Sequence, residues 1–302
     1  MPIDRPLTPA VPPPAHPRLA FVGAGAVGTT LAQAFAAAGL PVTALYRRDT
    51  GKLWDALARV PGATAAATPQ AAADVADVVF LTVPDDDVRT TCAGIRWRPN
   101  QAVVHCSGAT ELDALQHAGD AGAAVGAFHP LQMFTPSPAS LETLPGCTVT
   151  IDAAGALGDL LESLAGRLGC RAVRLPPGRR ALYHASAYYV GPFLIALMKE
   201  AAGMWSALGA TEEDALAALL PLLQGTVAAV KARGLAGGMG GCVARGDVGT
   251  VERHLAALEG HSREAALLYR TLALRTVPLA LERGTLPPDG ATRIRAALAP
   301  TN

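Results

Sequence analysis

The chain has 302 residues, half of them hydrophobic and 17% charged, with 25 basic side chains balancing 25 acidic ones. Such a composition fills substantial cores and is unlike that of a disordered chain, and the length favours two domains. A formal net charge of zero leaves no footprint for nucleic acid or an acidic membrane surface, so neither partner is expected.

The five cysteines, Cys92, Cys106, Cys147, Cys170 and Cys242, are odd in number, widely spaced and without a CxxC pair. They predict inert thiols in a reducing cytoplasm, with no disulfide framework and no metal site. Met1 to Pro17 holds seven prolines and no continuous apolar run, so it reads as a disordered or polyproline tail rather than a signal peptide.

From Leu19 a strand–helix rhythm begins. Leu19–Gly23 and Val42–Tyr46 are strands around a helix over Ala26–Ala38 that Gly39 stops. Lys52–Val60 is helical, Ala63–Ala67 a weak strand and Pro69–Ala73 a short helix. Val78–Val83 is continuously apolar, as expected of a strand buried on both faces. Asp86–Ile95 reads as helix and Ala102–Cys106 as strand. Thr110 opens a helix with Asp113 placed as in a capping box. Ala123–Phe128, Cys147–Ile151 and Arg171–Leu175 are further strands, with a helix over Ala156–Leu168. This alternation predicts an α/β fold with a mostly parallel, doubly wound sheet over residues 18–175.

After Pro176-Pro177-Gly178 the rhythm changes, and residues 176–302 read as an all-α domain. The expected helices are Arg180–Leu208, Glu212–Lys231, Thr250–Leu258, Arg263–Arg283 and Thr292–Leu298, with Thr211 and Asp214 capping the second. Pro192, Pro221 and Pro278 are expected to kink or break them. Ala181–Met198 carries His184, Ser186 and Pro192 and reads as too polar for a membrane span. No internal repeat is visible.

Gly23-Ala24-Gly25-Ala26-Val27-Gly28 is a GxGxxG pattern between a strand and a helix, the setting that identifies a dinucleotide turn of the Rossmann type. Gly23 makes the turn, Gly25 admits the pyrophosphate and Gly28 permits close packing. Ala26 and Val27 present helix N-terminal N–H groups. An NAD site usually carries a carboxylate at the end of the second strand. Here Tyr46-Arg47-Arg48 stands there, and two guanidinium groups suit the 2′-phosphate of NADP(H). The alternative is that both arginines are solvated and NAD binds less selectively. Val83 and Pro84 follow the fourth strand and belong to the same cofactor edge. Asp85, Asp86 and Asp87 read as turn and cap residues.

Ligands of open α/β sheets sit beyond the carboxyl ends of strands, where Ser107 and His129 fall. Ser107 is either a ligand contact or a turn residue, and His129 either a neighbour of the nicotinamide or a structural histidine. His184 in the helical half is a candidate general acid facing a cleft, or a satisfied buried histidine. It shares a helix face with Pro192 if the helix is continuous. Lys199 reads as solvated. Gly237 to Gly241 is a flexible loop leading to Arg245, a candidate carboxylate or phosphate clamp. Asp247 reads as a helix cap and His254 as structural.

Together these segments resemble the Rossmann-like proteins with a DUF2520 C-terminal domain, relatives of ketopantoate reductase, pyrroline-5-carboxylate reductase and the β-hydroxyacid dehydrogenases. The resemblance spans residues 18–300. It rests on GAGAVG at Gly23–Gly28, LTVPDDDV at Leu81–Val88, HCSGA at His105–Ala109, HPLQMF at His129–Phe134, YHAS at Tyr183–Ser186 and ARGDVGTVERHLAAL at Ala244–Leu258. It implies a Rossmann domain, a helical substrate and dimerisation domain, a homodimer, and Ser107, His129, His184, Arg245 and Asp247 at motif positions. Two departures stand out. Gly191-Pro192 replaces a Ser-Asn pair common in relatives, and Gly240-Gly241-Cys242 replaces Thr-Gly-Pro. The expected activity is NADP(H)-dependent hydride transfer to a carbonyl or imine of a small acid, an oxo acid or imine, with His184 or His129 giving the proton. The alternative is a non-catalytic NADP(H) sensor.

Overall fold

A computed structural model describes residue 14 and residues 16–135 and 139–299. The expected Pro-rich tail falls almost wholly outside the described residues. The chain divides into two compact units, Met1–Gly191 and Pro192–Asn302.

The first unit is built on eight strands: β1 (Leu19–Val22), β2 (Val42–Tyr46), β3 (Thr64–Ala65), β4 (Val78–Leu81), β5 (Ala102–His105), β6 (Ala124–Pro130), β7 (Thr148–Ala153) and β8 (Arg171–Arg174). They form one sheet in the order β3-β2-β1-β4-β5-β6-β7-β8. Neighbours are parallel except β6 and β7. The chain steps outward from β1 to β3, then returns to β4 on the other side of β1. That reversal puts a crevice at the carboxyl ends of β1 and β4, where ligands of such sheets bind.

The central strands are continuous apolar runs because both sheet faces are covered. Leu19, Phe21, Val78 and Phe80 point to one face, with Phe35 and Phe128. Ala20, Val22, Val79 and Leu81 point to the other, with Ile95 and Leu115. Phe21 and Phe80 stack at 5.0 Å, and Phe128 meets Phe80 edge-on at 5.8 Å. Such geometries add to plain area burial and tie three strands together.

The helices of this unit are α1 (Ala26–Ala37), α2 (Thr50–Leu57), α3 (Pro69–Asp74), α4 (Val88–Ala93), α5 (Gln116–Asp120), α6 (Ala139–Glu142), α7 (Gly155–Arg167) and α8 (Arg180–Val190). Asp49 caps α2 by accepting from Lys52 N, and Thr68 caps α3 by accepting from Ala71 N. The capping box expected at Thr110 does not form. Ser107 Oγ takes the Thr110 N–H at 3.0 Å, while Asp113 pairs with Arg89 at 2.6 Å. A short turn over Leu112–Leu115 leads into α5 instead.

Strands give way to helices after β8, near the expected boundary, but α8 clusters with the sheet and the units part at Gly191. The expected helix Arg180–Leu208 is therefore two helices, α8 and α9 (Pro192–Ala207). Gly191 has φ −107° and ψ −101°, and Pro192 opens α9, where its missing N–H costs nothing.

The second unit continues with α10 (Glu212–Gly238), α11 (Cys242–Arg245), α12 (Val248–His261), α13 (Arg263–Glu282) and α14 (Pro288–Ala297). Thr211 and Asp214 form the expected capping box. Pro221 and Pro278, expected to kink or break their helices, lie inside α10 and α13, which run on through them. The backbone departs from helical values at Gly234 instead (φ 72°, ψ −178°), a conformation open chiefly to glycine. α10 runs on to Gly238, so only the last part of the expected glycine loop is loop.

Val251, Leu255, Val277, Ile294 and Leu298 anchor a compact core of α11 to α14. By contrast, α9 buries only Ala202 and α10 only Ala215. Arg180–Ala207 and Glu212–Gly238 are long and apolar enough, by length and composition, to cross a membrane. The first, which the break at Gly191 divides into α8 and α9, meets that measure only narrowly.

Candidate functional site

The glycine turn is dictated by close packing. Gly23 has φ +112°, and a Cβ there would lie 2.6 Å from the Thr82 carbonyl carbon. A Cβ on Gly28 would strike Gly23 O and lie 2.5 Å from Thr82 Oγ1. Thr82 Oγ1 donates to Gly23 O at 2.8 Å, stitching the end of β4 to the turn. Gly25 is different. A Cβ there would meet nothing nearer than 4.0 Å, so its openness faces away from the protein. Gly25 also precedes α1 with no side-chain cap, and no acidic residue stands in the first turn. The first N–H groups of α1 are thus left without a protein side chain as partner.

Two cavities open on this turn. One of about 290 Å³ is lined by Gly23, Gly25, Arg47, Arg48, Val83 and Pro84 among others. The second, about 310 Å³, is lined by Gly25, Ala26, Thr29, Arg47, Lys52 and Arg59 among others. Arg47 belongs to both, and its Nη1 donates to Ala24 O at 2.6 Å. Arg48 reaches Asp87 at 3.4 Å. Val27 packs against the sheet core, and Gly28 serves packing rather than a cavity wall.

Lys52 and Arg59 line this cavity and were not singled out by the motif reading. Their signal is spacing: Lys52, Asp55 and Ala56 recur at i, i+3 and i+4 on one face of α2, and Arg59, two residues past its end, keeps the i+7 position.

The second cluster lies at the carboxyl ends of β5 and β6. Gly108 follows β5, His129 lies in β6, and Tyr183 and His184 lie in α8. A Cβ on Gly108 would strike His184 Cδ2 and lie 2.9 Å from His129 Nε2, so only glycine lets both rings close on the backbone. His129 Nδ1 is 2.8 Å from the Tyr183 hydroxyl. The His129 and His184 rings meet edge-on at 5.6 Å. Burial first, and then His184 and Arg180, push the His129 pKa down to about 4, while burial raises that of Tyr183. His129 is therefore neutral and Tyr183 protonated, and the two share one hydrogen bond. The structure brings His129 and His184 together, and Tyr183 is the partner that the sequence reading left without a role. The face shared by His184 and Pro192 is not formed, because α8 ends before Pro192.

Ser107 is committed to its turn. Its Oγ accepts from Ala109 N at 3.3 Å and Thr110 N at 3.0 Å and donates to Thr110 Oγ1 at 2.7 Å. Of the two readings of Ser107, the turn residue describes these bonds.

Beneath this cluster sits a buried cation. Arg180 opens α8 with 0% exposure. Its backbone N donates to Glu111 Oε1 at 3.1 Å and its Nη2 to Ser107 O, while Nε and Nη1 have no protein partner. His105 is equally buried, with neither ring nitrogen bonded. Burial, then Arg180 and His129, push its pKa down to about 3. The Asp152 carboxyl is raised by burial. Neither Arg180 nor His105 had a legible role. An arginine at a helix start reads as solvated, and a histidine ending an apolar strand reads as part of that strand.

In the second unit, Arg245 is the exposed last residue of α11. Asp247 caps α12, accepting from Thr250 N at 3.0 Å and Thr250 Oγ1 at 2.7 Å. His254 meets the Tyr269 hydroxyl at 3.0 Å, and Lys199 is paired with Glu212.

Comparison with known proteins accords with this architecture. Residues 8–130 match the model of the Rossmann-like domain, and residues 147–276 that of a domain of unknown function, DUF2520. No curated protein matches the chain. Among solved structures, a Thermotoga maritima protein is similar at TM-score 0.72 and 20% identity, covering 88% of this chain and 99% of that one. A reductive aminase from Aspergillus terreus gives 0.62 and 20%, covering 93% and 99%. A pyrroline-5-carboxylate reductase from Coxiella burnetii gives 0.53 and 15%, covering 94% and 96%. At these identities the likeness is one of fold. The chain joins a Rossmann-like domain to a DUF2520 domain.

Proposed function

We propose that this protein is an NADP(H)-dependent oxidoreductase acting on a carbonyl or imine carbon of a small acid. The observation that carries the reading is the uncapped start of α1 at Gly25, set between two cavities that share Arg47. Its residues fit a phosphorylated dinucleotide. Free N–H groups at a helix N-terminus favour the pyrophosphate. Arg47, Arg48 and Lys52 supply the cations that a 2′-phosphate needs; Arg47 follows β2, where a carboxylate for a ribose 2′-hydroxyl would stand, and the carboxylates in the two linings, Asp49 and Asp55, come later, Asp49 capping α2. The reductive aminase of similar fold is in complex with NADPH and ethyl-5-oxohexanoate, which supports the same cofactor here.

β1, β4, β5 and β6 are consecutive in the sheet, so the histidine cluster stands about 15 Å along the same edge from the glycine turn. That span suits a dinucleotide lying with its nicotinamide end toward Gly108. When bound, the cofactor supplies a hydride to the substrate carbon. The chain's own residues orient the reacting groups, exclude water and hold a proton. The Tyr183 hydroxyl, hydrogen-bonded to neutral His129, and His184 beside it are the groups placed to give that proton.

α9 and α10 expose Ile195, Leu222, Val227 and Leu235. A second copy covering these faces would make the molecule a homodimer, and sedimentation at twice the chain mass would support it.

The test of the cofactor reading is a fluorescence titration with NADPH and NADH. Tighter NADPH binding that weakens at least tenfold in an Arg47→Ala, Arg48→Ala variant is the expected result. Equal affinities for both nucleotides would remove the NADP(H) assignment. Binding of neither would remove the oxidoreductase.

A further inference from the structure

Two of the five cysteines, expected to be separate inert thiols, stand face to face across neighbouring strands. Cys147 immediately precedes β7 and Cys170 immediately precedes β8. The two strands are parallel, with Thr148 opposite Arg171, so the cysteines are one step before the first pair. Arg171 N donates to Cys147 O at 2.9 Å and Gly146 N to Gly169 O at 2.8 Å, fixing the backbones on both sides of the pair. The two Sγ atoms are 3.6 Å apart. Adjacent strands lie about 4.8 Å apart, within the Cα separation that a disulfide spans, and side chains in register leave the sheet on the same side.

We propose that Cys147 and Cys170 form a reversible oxidation site, an intramolecular disulfide joining β7 to β8. The two thiols are chemically unequal. Cys147 is half-buried and can be reached from solvent, whereas Cys170 is buried and its one thiol proton is within reach of Leu144 O at 3.2 Å. Cys147, the accessible thiol, is thus the attacking group and Cys170 the resolving thiol.

The oxidant is a small-molecule disulfide such as oxidised glutathione. Cys147 Sγ attacks one of its sulfurs, the glutathione S–S bond breaks, and one glutathione leaves as thiol. Cys170 loses its proton and attacks Cys147 Sγ, the Cys147–Cys170 bond forms, and the second glutathione leaves. Two protein thiols are oxidised and one disulfide is reduced. The ring so closed contains α7 and ties down the sheet edge beside β6, which carries His129.

The test uses the full-length reduced protein incubated with oxidised glutathione. Thiol titration under denaturing conditions should fall from five to three, and a non-reducing digest should link the Cys147 and Cys170 peptides. Dithiothreitol should restore all five. In Cys170→Ser the glutathione adduct on Cys147 should persist, and in Cys147→Ser neither bridge nor adduct should form on Cys170. Five remaining thiols in the wild type, a bridge through other cysteines, or loss of two thiols in Cys147→Ser would each overturn the proposal.

Discussion

His105 and His129 make the first unit sensitive to acid. Both are held uncharged, with pKa values near 3 and 4, against about 6.5 for an ordinary histidine in the unfolded chain. Below pH 6.5 the unfolded chain takes up a proton at each site and the folded chain does not. Stability is therefore full above about pH 6.5 and falls as the pH drops toward the folded values, by about 1.4 kcal/mol per pH unit for each group. Between pH 7 and pH 5, His105 alone accounts for a loss of about 2 kcal/mol. His105→Leu removes the titrating group from this position. Urea denaturation of both proteins at the two pH values measures the difference. The wild type should lose about 2 kcal/mol more than the variant over this interval. Equal losses would mean that His105 takes up its proton in the folded state at an ordinary pH, and the account of its burial would be wrong.

Two further substitutions test the local geometry. Gly108→Ala places a Cβ against both histidine rings and should cost about 1–3 kcal/mol by overpacking, read as a lowered melting temperature. The same variant should alter the ring resonances of His129 and His184 in NMR spectra. Asp247→Ala removes both hydrogen bonds to Thr250 and should destabilise the second unit by about 1 kcal/mol in urea titration, the usual worth of an N-cap.

Much of the first unit was legible because its signals are local. A continuous apolar run such as Val78–Leu81 has few ways to fold, and GxGxxG between a strand and a helix has one common meaning. What escaped was decided by contacts distant in sequence. Thr110 and Asp113 have the spacing of a capping box, but Ser107 takes the N–H and Arg89 takes the carboxylate. Arg180 looks like any basic residue at a helix start until Glu111 and Ser107 O close around it. Pro221 and Pro278 carry a strong breaking signal, yet α10 and α13 run on through them. The histidine pair was legible as two motif histidines; that Gly108 lies between them, and that Tyr183 is hydrogen-bonded to one, depends on the packing of α8 against the ends of β5 and β6.

The two arginines after β2 differ in freedom as well as position. Arg47 is fastened to the Ala24 carbonyl, while the Arg48 side chain is 81% exposed and holds Asp87 at the limit of an ion pair. Ionic strength will sort them. Dissolved salt screens a mobile surface charge within a Debye length of about 8–10 Å, and reaches a fixed charge inside a cavity far less. Raising the salt should therefore erode Arg48's share of phosphate attraction first and leave Arg47's largely standing, so the protein's grip on a charged nucleotide should decline toward a plateau rather than vanish.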